Sequence, residues 1–264
     1  MIYEPINDFP DPLCFRVFPG IDLVFAPAVL RRLLPCSAAL LFCHCASGPD
    51  LAIPGPAPTV RRSEAIGTAY AYSRVEWQPQ EQHRKHGRDQ DGVLVHTPDT
   101  TLAGHGFSNG WWQTGKVARG VAYQWGGFDT PKEFVASLER GESAGDISTP
   151  EKRRLGDAAT SQEACGIDCS GFVSRCWRLP RPYSTKELPS ICDKLESWDE
   201  LKPGDILLND RHVVLFARWA TTGSSIYAYE AGPLPVWRVN AAEIRKDYLL
   251  ERGYQPWRYH RIRD

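Results

Sequence analysis

Residues 205–231 read DILLNDRHVVLFARWATTGSSIYAYEA, and this stretch decides the fold. The runs His212–Trp219 and Ser225–Glu230 are β-rich, and the Thr-Thr-Gly-Ser between them is turn chemistry. In the first run His212 shares a face with Val214 and Phe216. In the second, Ile226, Ala228 and Glu230 share one. Further short β-rich runs follow at VWRVN (236–240) and PWRYHRI (256–262). Upstream the period is helical. Ser63 can cap a helix through EAIGTAYAYSRVEW, with Ile66, Ala69, Tyr70, Ser73 and Trp77 at helical spacing. Thr130-Pro131-Lys132-Glu133 is a capping box with proline at the first helical position, and the helix it opens runs to Gly141. Ser148–Leu155 (STPEKRRL) starts a charged helix. Ser184–Glu187 is another box, with Leu188, Ile191 and Leu195 on one face. The polar run 78–92 (QPQEQHRKHGRDQDG) reads as a solvated loop, and GVLVHTPD after it as a short strand ended by Pro98. Helices first and strands last predict an α+β fold, with N-terminal helices packed on a C-terminal antiparallel sheet.

Chemistry concentrates in Gly166-Ile167-Asp168-Cys169-Ser170-Gly171-Phe172-Val173. Phe172, Val173 and Cys176 follow Cys169 at i+3, i+4 and i+7, so they mark a buried helical face with the thiol at its N-terminal end. Asp168 is the expected N-cap. A thiol there is either a small core residue or a nucleophile whose thiolate the helix dipole favours. A cysteine nucleophile needs a base, and His212 faces a core on its strand. The alternative for His212 is a core histidine satisfied by a backbone carbonyl. Glu230, on the apolar face of the next strand, would fix the base's tautomer if it pairs with the ring; otherwise it is a solvent-facing strand end.

With these pieces in place, the sequence resembles the NlpC-type family of papain-like cysteine peptidases, which cleave bacterial cell-wall peptides. The matching segments are Tyr123-Gln-Trp-Gly-Gly127, Asp168–Val173, LKPGDILL, His212-Val-Val-Leu-Phe, and the strand ending in Glu230-Ala231, in family order over roughly 117–264. The resemblance implies a papain-like fold, with Cys169 as nucleophile, His212 as general base and Glu230 as third residue. It places Tyr123, Asp168 and Ser170 where the family contacts the peptide near the attacked bond, with Asp168 meeting a free amino group. It also implies a γ-D-glutamyl to diamino acid bond in peptidoglycan stem peptides as substrate, cleaved through an acyl-enzyme. No cofactor and no metal is called for. The family's third residue is more often His, Asn or Gln; a carboxylate in its place is expected to stabilise the imidazolium and raise the pKa of His212. Relatives that place histidine before cysteine include acyltransferases and lipid-acting enzymes, and His96 would fill that role here, though no polar strand partner follows it. An amidase or acyltransferase with the same triad, or a wall-binding module without turnover, are the competing readings.

Composition sets the boundaries. The chain of 264 residues, 42% hydrophobic and 24% charged, can fill a core. A net charge of −1 argues against a nucleic-acid partner. Residues 1–60 hold 10 of the 21 prolines, 4 of the 8 cysteines and only 8 charged residues. Within them, Arg31-Arg32 precede an apolar run from Leu33 to Cys45 and then small residues. That is the order of a secretory signal cut after Ser47, with translation starting nearer, for example at Val29, and the protein exported to the periplasm or beyond. The run is too short for a membrane span. Phe42 and His44 before Cys43 and Cys45 do not suit a lipoprotein cut, and Cys43-His44-Cys45 is too tightly spaced for a usual metal motif. The expected organisation is a leader with a Pro/Gly linker over 1–60, an accessory region over 61–115 and the peptidase-like domain over 116–264. Gly110-Trp111-Trp112 reads as core packing rather than a stacking wall. With Cys169 reserved as a free thiol, at most one disulfide can form among Cys165, Cys176 and Cys192.

Overall fold

The alternating runs at the end of the chain form the centre of a seven-stranded, wholly antiparallel sheet. In spatial order its strands are Tyr3–Pro5, Val239–Arg245, Ser225–Ala231, Val213–Trp219, Ile206–Leu208, Gln255–Tyr259 and Cys192–Lys194. These are features of a computed structural model that describes Tyr3–Pro5, 58–232 and 236–264. The expected export signal and its cut site lie outside the described residues. The architecture is α+β.

Both faces of the sheet are covered, because successive side chains alternate sides. On one face Val213, Leu215, Tyr229 and Ala241 join the main core, which also takes in Tyr72, Phe172 and Trp177. Two helices cover this face. The first, α1 (Arg62–Arg74), packs on the Ser225–Ala231 and Val239–Arg245 strands; α4 (Cys169–Cys176) packs on Val213–Trp219 and Ser225–Ala231. The helices meet through Tyr72 and Phe172, whose rings lie edge to face at 5.6 Å. On the opposite face Val214, Phe216, Ile226 and Ala228 form a second cluster with Leu249 of a short helix, α5 (Lys246–Glu251), and with Tyr254. Residues 61–115 enter the same main core as the rest, through Ala65, Tyr72, Trp77 and Trp112. Among the described residues no helix is long and apolar enough to cross a membrane.

Local expectations divide in instructive ways. Thr130 and Glu133 form the predicted reciprocal box, and α2 spans Pro131–Glu139. The cap of α1 is Arg61, not Ser63: Arg61 N–H donates to Glu64 Oε2 at 2.9 Å, and Ser63 lies exposed within the first turn. The helix ends at Arg74, so Trp77 belongs to a two-residue strand paired with Ala118–Arg119. Only half of the Ser184–Glu187 box forms, with Glu187 Oε2 accepting from Ser184 N–H and Oγ–H while Glu187 N–H donates to Ser184 O, and only the 3₁₀ turn Leu188–Ile191 follows, with Pro189 inside it. The PGD turn is pinned by fully buried Asp205, which accepts from Arg62 at 2.8 Å and from Arg258 at 2.7 Å. Trp112 is buried; Trp77 meets both Trp111 and Trp112 edge to face.

Candidate active site

The two motifs that carry the resemblance interlock through their backbones. Ile167 N–H donates to Ala122 O at 3.0 Å, Gln124 N–H to Ile167 O at 3.2 Å and Asp168 N–H to Gly127 O at 3.1 Å. The glycines are needed for this approach. A Cβ on Gly171 would meet Gly127 O at 2.5 Å, one on Gly127 would meet Gly166 O at 2.7 Å, and Gly126, at φ +70°, has Thr160 against it. Residues 122–127 thus cradle the loop that delivers Cys169.

Asp168 is the N-cap of α4, accepting from Gly171 N–H at 2.6 Å. Ser170 Oγ donates to the same carboxyl oxygen at 3.0 Å. Ser170 is therefore buried and engaged with Asp168. Cys169 is the first residue of the helix, 7% exposed, and its sulfur lies against the backbone N–H of Val213, the residue after His212. The dipole does not prevail there. Burial, reinforced by the Asp168 carboxyl, pushes the thiol up to about 12, against the pull of the helix dipole toward thiolate.

His212 stands just before its strand, held by Asn209 Oδ1, which accepts from its backbone N–H at 2.8 Å. The register sets Leu215 opposite Tyr229 and Phe216 opposite Ala228, so His212 and Glu230 are diagonal neighbours on one face. His212 Nε2 and Glu230 Oε2 are 2.5 Å apart, and both side chains are almost wholly buried. Glu230 is no solvent-facing strand end. Burial, aided by the nearby charge of Arg153, pushes His212 down to about 3; burial alone pushes Glu230 up to about 8. Burial thus acts on His212 against the rise expected from a carboxylate partner. Nδ1 is the ring nitrogen left for a reacting group. Among the described residues, no hydrogen bond joins Cys169 to His212.

Tyr123 is buried on the same side of the site, with Cys169, Asp168 and Ser148 around its phenol. Three contributors were not singled out in the sequence. Tyr254 sets its ring edge-on to His212 at 6.5 Å and feels both Glu230 and Cys169. Asn240 is the cross-strand partner of Glu230 and is buried beside it. Arg153, in α3 (Pro150–Leu155), is exposed, donates to Ser148 Oγ at 3.1 Å, and acts electrostatically on His212 and Tyr123. None of the three lies in a recognisable motif; only the α3 cap at Thr149, which accepts from Lys152 N–H, hinted that this helix is well placed. Cys165, Cys176 and Cys192 are, like Cys169, free and buried.

His96 does not join this site by any contact among the described residues. It pairs across a short hairpin with His86 and lies near His105, a gathering of three imidazoles where the sequence reading named no metal ligand. No protein-family pattern matches the chain, and no curated protein or solved structure matches it significantly.

Proposed function

We propose that this chain is a papain-like cysteine hydrolase that cleaves peptidoglycan stem peptides, at a γ-D-glutamyl to diamino acid bond. The observation that carries the reading is the buried 2.5 Å contact between His212 and Glu230, with a cysteine at a helix N-terminus whose sulfur lies against the N–H of Val213, the next residue after His212. A carboxyl desolvated on an apolar sheet face is costly for stability alone, and orienting a catalytic imidazole is a reason to keep it.

The chemistry follows from the protonation states. In the base-competent form, Nε2–H donates to a Glu230 carboxylate and Nδ1 keeps its lone pair. The Cys169 sulfur bonds to the scissile carbonyl carbon as its proton passes to Nδ1. Backbone N–H groups at the start of α4 hold the oxyanion. The imidazolium then protonates the leaving amine as the C–N bond breaks, leaving a thioester. Water, deprotonated by His212, attacks the thioester, releasing the acid and restoring the thiol. A neutral resting thiol suits such coupled proton transfer. Asp168 would meet the free amino group of the substrate, and the exposed cation of Arg153 suits the free carboxylates that stem peptides carry. An export signal within 31–47 would bring the enzyme to the wall.

Incubation of purified muropeptides with the wild type and Cys169→Ala, followed by mass spectrometry, tests the reading. New fragments from the wild type alone support it. No fragments from the wild type defeat it, and fragments from both remove Cys169 as nucleophile.

A further inference from the structure

Outside the site, the described residues hold one other gathering of metal-ligating side chains. His86 and His96 face each other across the antiparallel pair His86–Arg88 and Leu94–His96, and His105 ends the 3₁₀ turn Leu102–His105. The His105 ring stacks on His86 at 4.1 Å. One nitrogen from each of the three lies within 4.8 Å of the others.

The spacing of His86 and His96 suits an ion, and the His105 ring would turn out of its stack on His86 to supply the third nitrogen. His86 Nδ1 and His96 Nδ1 are 3.3 Å apart. Two imidazole nitrogens bound to one tetrahedral zinc at about 2.0–2.1 Å would themselves stand about 3.3 Å apart. The far side of His86 is organised in the way of a metal-bound imidazole. Its Nε2–H donates to Asp99 Oδ2 at 2.8 Å, which leaves the Nδ1 lone pair directed at His96. Asp99 is fully buried and held in turn by the hydroxyls of Thr97, at 2.7 Å, and Thr101, at 2.5 Å. His96 is fixed at its backbone, where its N–H donates to Asp146 at 3.0 Å and its carbonyl accepts from Ile147. His96 is buried and His105 exposed, so a fourth position would face solvent.

We propose that His86, His96 and His105 bind a divalent first-row transition metal of the zinc type, with an open fourth position. The three donors are all imidazole nitrogens, which select such metals over calcium or magnesium. The ion would fasten the hairpin to the 102–105 turn. Through His96 and Asp146, whose own N–H donates to Tyr123 O at 2.8 Å, that clip lies two residues from the wall of the cysteine site. The inference does not depend on the peptidase reading, and its test measures no turnover.

The full chain, stripped with EDTA, is titrated with Zn²⁺ by calorimetry and with Co²⁺ by visible absorbance. The wild type should bind one equivalent that His86→Ala and His105→Ala each lack, while His260→Ala, at an exposed histidine remote in sequence, keeps it. Zn²⁺ at a hundredfold excess over Kd should raise the wild-type Tm by about 5 °C or more and leave His105→Ala unmoved. His105 is exposed, so this variant folds even if His86→Ala does not. Absence of stoichiometric binding to the wild type overturns the proposal. So does an equivalent that persists in His105→Ala, which would then belong to other ligands; in that case the 3.3 Å contact is an ordinary imidazole–imidazole hydrogen bond.

Discussion

His212 Nε2 lies 2.5 Å from Glu230 Oε2 in a pocket with almost no solvent contact. Because burial raises Glu230 to about 8, the form with a carboxylate on Nε2–H and a lone pair on Nδ1 fills as pH rises through about 8. For the proposed hydrolase, kcat/KM should climb through that pH. In Glu230→Gln the amide carbonyl accepts Nε2–H at any pH, so the rise should move to lower pH, while Glu230→Ala loses activity at every pH. A wild-type profile flat between pH 6 and 9 would contradict this.

The same pair sets a stability profile. Of the two, above the ordinary histidine value of 6.5 only Glu230 differs between states: it is ionised in the unfolded chain and protonated in the folded one up to about 8. The folded state therefore binds more protons, and stability falls from pH 6.5 to 8, at no more than about 1.4 kcal/mol per unit. Below 4.5 only His212 differs, neutral when folded down to about 3 and charged when unfolded, so stability falls again toward pH 3. Urea unfolding of Glu230→Gln should lack the alkaline fall and keep the acid one.

Cys169 should behave as a buried thiol in the absence of substrate. With its pKa pushed up to about 12, alkylation by iodoacetamide, followed by peptide mapping, should rise about tenfold per pH unit through pH 9. A plateau reached below pH 8 would mean a stable thiolate–imidazolium pair instead.

The interlock of the two glycine motifs gives a packing prediction. Gly171→Ala drives a methyl against the carbonyl of Gly127 and should cost about 1–3 kcal/mol. Gly67→Ala, within α1 and with nothing near its would-be Cβ, should instead stabilise by about 0.5–1 kcal/mol. Chemical denaturation of both variants checks the contrast.

What could be read from the residues was what is local or periodic. Alternation along two strands put His212 and Glu230 on one face, and Asp168 and Thr130 were legible as caps because capping is decided within four residues. Ser63 misled for the converse reason: Arg61 and Glu64 cap the helix two positions earlier. The 78–92 stretch reads as a loop because its strand is three residues long and polar; pairing across the hairpin, not burial of an apolar face, organises it. His105, Tyr254 and Arg153 reach their sites from turns and helices remote in sequence, which no periodicity encodes. Ionisation states are not periodic either: they turn on the partial charge of an eight-residue helix against the cost of burying a thiolate next to a carboxyl.

Val60–Arg61 pairs in parallel with Ile262–Arg263, Arg62 Nε donates to Asp264 at 2.7 Å, and Tyr259 Oη donates to Pro58 O. Residues 58–62 and 259–264 are thus stitched side by side. A bridge between them would span a short gap and leave Cys169 and His212 on their native elements. A circular permutant joining 264 to 58 by a short Gly/Ser bridge and opened in the exposed turn at Thr221–Ser224 should keep the wild-type fold by circular dichroism, apart from the edge strand Tyr3–Pro5 that it omits.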